Sequence, residues 1–270
     1  QPILYLIQMT LKINYLDKKK IDSPNKAIFI SKNMKIEAFK GEFGEKITRK
    51  IANLLKKNHE LKEDKIFSLN HDFDERIIAV FLSKSNSELE FEKIGARFYD
   101  YLKKNEVSNI FIQAPHAIYS KNQYQKLFSY FIHGLELKSY EFNLYKSKKI
   151  NKIFNVFLDK KDLLNKFNYL DAILSGVNFT RDLVSEPGNI LHPDEYSKRL
   201  LKLKKIGLKI TIYDQKKLKK MGCNALLGVG QGSVRGSYLV TMEWNGAKSK
   251  SKPLAFIGKG VCFDTGGISL

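Results

Sequence analysis

Two cysteines in 270 residues, Cys223 and Cys262, leave no disulfide framework and no thiolate zinc site to build on. Each reads as a small buried apolar residue in a reducing compartment. No apolar run approaches the length of a membrane span, and Gln1 to Thr10 carries neither a basic leader nor a small-residue cleavage site. The expectation is a soluble, cytoplasmic chain with no membrane partner. In the first 160 residues His59, His71, His116 and His133 are scattered with no pair at ligand spacing, so they read as surface or satisfied side chains. The first 160 residues also lack a glycine-rich phosphate fingerprint.

Acidic residues are in deficit. Lys and Arg number 47 against 28 Asp and Glu, for a formal charge of +19, and such a surface attracts phosphate and releases counterions. The excess is spread along the chain, with 29 basic against 19 acidic residues before position 161 and 18 against 9 after it. Lysine greatly outnumbers arginine, and runs such as Lys18-Lys19-Lys20 and Lys216-Lys217-Leu218-Lys219-Lys220 are too short to be tails. A solvated basic surface is therefore favoured over a nucleic-acid site.

What is present is an α/β pattern of sufficient length for one large domain or two ordinary ones. Strand-like runs at Ile3–Ile13, Ala27–Ile30, Lys65–Leu69, Ile77–Leu82, Val107–Ile112 and Lys152–Leu158 alternate with helical spacing at Glu45–Lys57, Leu89–Leu102 and Tyr124–Leu137. This predicts an amino-terminal α/β domain over residues 1–160. A long helical pattern, Asp162 to Val184, stops at Ser185-Glu186-Pro187-Gly188-Asn189 and is expected to join that domain to a second one over 161–270. Pro193 with Asp194 and Glu195 behind it suits the start of a helix through Leu203. Strands are predicted at Leu208–Tyr213 and Ser237–Glu243, with a short helix between them at Lys216–Lys220.

Chemistry concentrates in the last eighteen residues. The apolar run Leu254-Ala255-Phe256-Ile257 has the length and composition of a buried strand and delivers Gly258-Lys259-Gly260, then Asp264 before Thr265-Gly266-Gly267. Loops beyond the carboxyl ends of strands in open α/β sheets form ligand crevices, and glycines there admit a close backbone approach. Residue type alone leaves Lys259 and Asp264 open to a second reading as ordinary turn residues. Arg181 and Arg235 read either as anion clamps or as members of structural ion pairs.

Three ungapped stretches, NFTRDLVSEPGNILHPDEY (Asn178–Tyr196), MGCNALLGVGQGSVRGSYLV (Met221–Val240) and IGKGVCFDTGGISL (Ile257–Leu270), resemble the leucyl aminopeptidase (cytosol aminopeptidase) family of two-metal peptidases. The first 160 residues resemble that family's variable amino-terminal domain only in layout and in the Phe39-Lys40-Gly41 turn. The resemblance implies an amino-terminal α/β domain joined by a long helix to a truncated α/β metallopeptidase domain. It also implies two divalent ions (manganese or zinc, or else magnesium), peptide substrates, a homohexamer when complete, and hydrolysis of the amino-terminal residue by a water activated between the ions. By this carry-over Lys259 is a metal ligand and a substrate-contacting residue, and Asp264 is a metal ligand that bridges both ions. A carboxylate can hold two cations, whereas an amine coordinates only when a nearby cation depresses its pKa. The family's second catalytic lysine, its arginine and its other carboxylates are expected beyond Leu270, so the segment is expected to be inactive alone. The rival readings are a DNA-binding accessory protein and a non-catalytic assembly fragment.

Overall fold

A computed structural model describes residues 10–21, 23–31, 34, 44–57, 65–69, 76–82, 87–147, 152–162, 169–247 and 252–263. Contacts divide the chain into two compact units, Ile7–Asn178 and a second built on Phe179–Leu270, with the division falling inside one helix.

The first unit is a six-stranded sheet in the order β1-β6-β5-β2-β4-β3, parallel throughout except for the antiparallel edge strand β3. Its strands are β1 (Leu11–Leu16), β2 (Asn25–Ser31), β3 (Lys65–Ser68), β4 (Arg76–Leu82), β5 (Asn109–Ile112) and β6 (Phe154–Asp159). The helices are α1 (Glu45–Lys57), α2 (Glu88–Lys104) and α3 (Lys121–Lys138). A strand sends successive side chains to opposite faces, and β2 and β4 carry the unbroken apolar runs Ala27–Ile30 and Ile77–Leu82 because both faces are covered there. Ala27, Phe29, Ile78, Val80 and Leu82 enter the core beneath α2 and α3. Ile28, Ile30, Ile77, Ala79 and Phe81 enter a second core with Ile51 and Leu55 of α1.

Helices α2 and α3 touch backbone to backbone. A Cβ on Gly95 would lie 1.9 Å from the Phe131 carbonyl oxygen, and one on Gly134 would lie 1.9 Å from that of Glu92. Hydrogen at these two positions is what lets the aromatic residues Phe91, Phe98, Phe128 and Phe131 close over the sheet. α2 begins with a capping box, in which the Ser87 hydroxyl accepts from the Glu90 amide while the Glu90 carboxylate accepts from the Ser87 amide.

α4 (Tyr169–Ser185) leads from the first unit into the second, where α5 (Pro193–Leu201) continues into a 3-10 turn over Lys202–Ile206. Gly207, at φ 97, ends that turn in the left-handed region, where a side chain is strained. Then follow β7 (Lys209–Tyr213), α6 (Gln215–Lys220), α7 (Asn224–Val229) and β8 (Leu239–Glu243), with β7 and β8 paired antiparallel. Leu183, Leu191 and Leu200 form this unit's small buried cluster.

The expected elements match the described ones closely from β2 through β6, whereas β1 covers Leu11–Leu16 and shares only residues 11–13 with the expected strand Ile3–Ile13. The amino-terminal part of the Ile3–Ile13 run and most of 162–168 lie outside the described residues, and α7 was not expected. One expectation is corrected. Residues 254–257 form no strand, and Leu254, Phe256 and Ile257 are 81%, 89% and 100% exposed. A strand buried on both faces needs neighbours along its edges and layers over its faces. Among the described residues the second unit offers only β7 and β8, which pair with each other.

Candidate functional site

Lys259 lies in the exposed stretch 252–261 of the second unit. Asp264, its expected partner, lies outside the described residues, as do His59 and His71. The structure therefore positions one of the two predicted ligands. Among the described residues no group of three or more His, Cys, Asp or Glu side chains could hold a metal ion. An exposed amine without a carboxylate cluster is no donor set for two hard or borderline cations, so the described residues do not by themselves fit a two-ion centre.

What the structure does define is the ground over which the Lys259 segment passes. α5 starts at Pro193, a Pro at the first turn, where no amide hydrogen is needed, with the Glu195 amide nitrogen 3.4 Å from the His192 ring nitrogen Nδ1. That ring nitrogen donates to Asp194 Oδ1, and Arg235 Nη1 donates to Asp194 Oδ2 at 3.2 Å. Burial alone would raise the Asp194 carboxyl, but its own backbone amide, His192 and Arg235 hold it below the usual range. Of the two readings of Arg235, the ion pair is the one observed.

Against this turn the chain returns at close range. A Cβ on Gly260 would meet the Tyr196 ring at 2.9 Å, and a Cβ on Gly188 would meet Phe263 Cβ at 2.9 Å. Cys262 is half-buried, and burial, aided by the Asp194 charge, raises its thiol pKa. Beneath the turn, Arg199 donates from Nη1 to Glu186 at 2.7 Å and from Nε to Glu195 at 3.2 Å, and the side chains of Arg199 and Glu186 are almost wholly buried. A charge pair buried this deeply is costly to break, which is why it holds the turn in one place. Sequence reasoning placed Pro193 and the acids at a helix start but missed the Glu186–Arg199 pair. Its only signal was a carboxylate and an arginine flanking one predicted turn.

In the first unit, His116 Nε2 lies 3.0 Å from the buried Asp162, and His133 is buried, which lowers its pKa. Neither stands in a cluster of metal ligands.

Residues 178–270 match the cytosol aminopeptidase family, catalytic domain. A probable cytosol aminopeptidase of Brucella anthropi is 42% identical over 188 residues, covering 66% of this chain and 37% of its own length. That of Brucella melitensis is 47% identical over 146 residues, 51% of this chain and 30% of its own. That of Rhizobium leguminosarum is 37% identical over 207 residues, 73% of this chain and 41% of its own. The chain belongs to the cytosol aminopeptidase family. Among solved structures, a mutant of tomato leucine aminopeptidase superposes with a TM-score of 0.67 at 17% identity over 89% of this chain and 52% of its own. The bottromycin maturation enzyme BotP gives 0.59 at 15% identity over 83% of this chain and 46% of its own. These two establish the α/β fold. The chain spans 30% to 41% of the length of these curated relatives. Among the described residues, no helix is long and apolar enough to cross a membrane.

Proposed function

We propose that this chain is the amino-terminal α/β domain (1–160), a linker helix and the first part of the catalytic domain (161–270) of a metal-dependent aminopeptidase that removes the amino-terminal residue of peptides. The observation that carries the reading is the family match over 178–270, which includes Lys259 and Asp264. Two divalent ions, manganese or zinc, belong to this reading, as do a cytoplasmic setting and a homohexamer for the complete protein. Lys259 and Asp264 are this chain's share of the metal centre, Lys259 also touching substrate. The remaining ligands and the catalytic lysine and arginine come from the part of the relatives' length that these 270 residues do not span. The exposure of Leu254, Phe256 and Ile257 supports this, because apolar side chains of that kind belong inside a sheet domain rather than in water.

The test is an assay of leucine p-nitroanilide hydrolysis with manganese or zinc. The 270-residue chain alone is expected to be inactive. The same chain joined to the carboxy-terminal remainder of the Brucella anthropi relative is expected to hydrolyse the substrate. Activity of the chain alone would refute the shared centre, and a folded but inert joined protein would count against the aminopeptidase reading.

A further inference from the structure

We infer that the start of α5 and the turn before it form a cradle that sets the path of residues 258–263, with Tyr196 the positioning residue for Lys259. The part concerning Lys259 rests on the reading above, whereas the cradle itself is a property of the second unit. Two contacts define it. Gly260 runs against the Tyr196 ring so closely that a methyl group there would sit 2.9 Å from a ring carbon. Gly188 lies against the Cβ of Phe263 at the same spacing, while most of the Phe263 side chain stays exposed. Cys262, between them in the chain, is half-buried. The cradle's own shape is fixed independently, by Asp194 held between His192 and Arg235 and by the buried Glu186–Arg199 pair.

The glycines on either side of Lys259 are therefore not equivalent. A Cβ on Gly258 would meet nothing within 4 Å, so that residue is free to change, whereas Gly260 is required by what it touches. The lysine is thus held by its carboxyl-side neighbour, with the Tyr196 ring as the wall. Tyr196 also packs on the Leu183, Leu191 and Leu200 cluster, so the wall is anchored in the unit's own core.

The experiment uses the 270-residue chain without metal or substrate, so it stands or fails separately from the aminopeptidase reading. Nuclear Overhauser contacts between the Tyr196 ring and Gly260, and between Phe263 and Gly188, are expected in the folded protein. Native-state cleavage by trypsin after Lys259, normalised to the rate in a matching free peptide, is expected to rise about tenfold in Gly260→Ala and to stay within about twofold of the parent in Gly258→Ala. Tyr196→Phe keeps the ring and is expected to behave as the parent. Tyr196→Leu removes the wall and is expected to accelerate cleavage as Gly260→Ala does; should it disturb folding, Gly188→Ala is expected to accelerate cleavage and Gly188→Ala/Phe263→Gly to restore the parent rate, the second substitution removing the Cβ that the first would strike. Absence of both contacts in the folded parent, or equal acceleration by Gly258→Ala and Gly260→Ala, would overturn the proposal.

Discussion

Glu136 on α3 shows what a single residue contributes. Burial, and then the charge of Asp171 on α4, push its carboxyl from 4.5 up to about 7. Tyr15 on β1, half exposed, is raised well above the ordinary phenol range by partial desolvation and then by the charges of the same two acids. The folded protein thus keeps a proton that the unfolded chain releases near pH 4.5. The contribution of this group to stability is expected to be full below that pH, to fall as pH rises through about 7 and to level off above it. Glu136→Gln removes this slope and is expected to leave the variant more stable than the parent by about 2 kcal/mol at roughly pH 8, and by little at roughly pH 5. Urea unfolding at the two pH values checks it, and parallel pH profiles for parent and variant would refute it. None of this was legible in the sequence, where Glu136 is one more polar position on a helix. Its neighbours come from β1 and α4, far away in the chain.

At the scale of elements, the contact of α2 with α3 depends on Gly95 and Gly134. A methyl at either position overlaps a carbonyl of the opposite helix, so the helices must separate and the aromatic core must loosen. Gly134→Ala is expected to cost about 3 kcal/mol in chemical denaturation, the upper end for overpacking. A loss below about 0.5 kcal/mol, the range of an inert surface change, would contradict that packing. Loss of the α2 cap in Ser87→Ala is expected to cost about 1 kcal/mol by the same measurement, and no change would mean that the box is not stabilising. The helices and parallel strands of the first unit were legible because each has a strong apolar stripe or run. α7 (Asn224–Val229) was not, being six residues with no acidic or basic end signal. The run at 254–257 was legible as strand-forming, yet periodicity reports what a segment prefers rather than whether a sheet is there to receive it. Likewise Lys259 was found by its motif, whereas the Tyr196 wall required knowing that residues sixty-odd positions apart in sequence touch.

At the scale of the molecule the two units differ in how well they are closed. Among the described residues, the first has a core on each face of a six-stranded sheet, whereas the second has one small cluster, two strands and an exposed apolar segment. Native-state hydrogen exchange is expected to be slower by at least about tenfold in β2 and β4 than in β7 and β8, and uniform protection would contradict this division of stability. The same asymmetry agrees with the proposal that these residues hold a whole amino-terminal domain and the first part of a catalytic one. The most direct measurement of the central claim is leucine p-nitroanilide hydrolysis by the chain joined to its relative's remainder, with and without Asp264→Asn. The account predicts a loss of about a thousandfold, the scale of several kcal/mol of transition-state stabilisation, with folding unchanged. Activity within about threefold of the parent, under half of one 1.36 kcal/mol decade, would show that this chain's carboxylate has no part in the reaction.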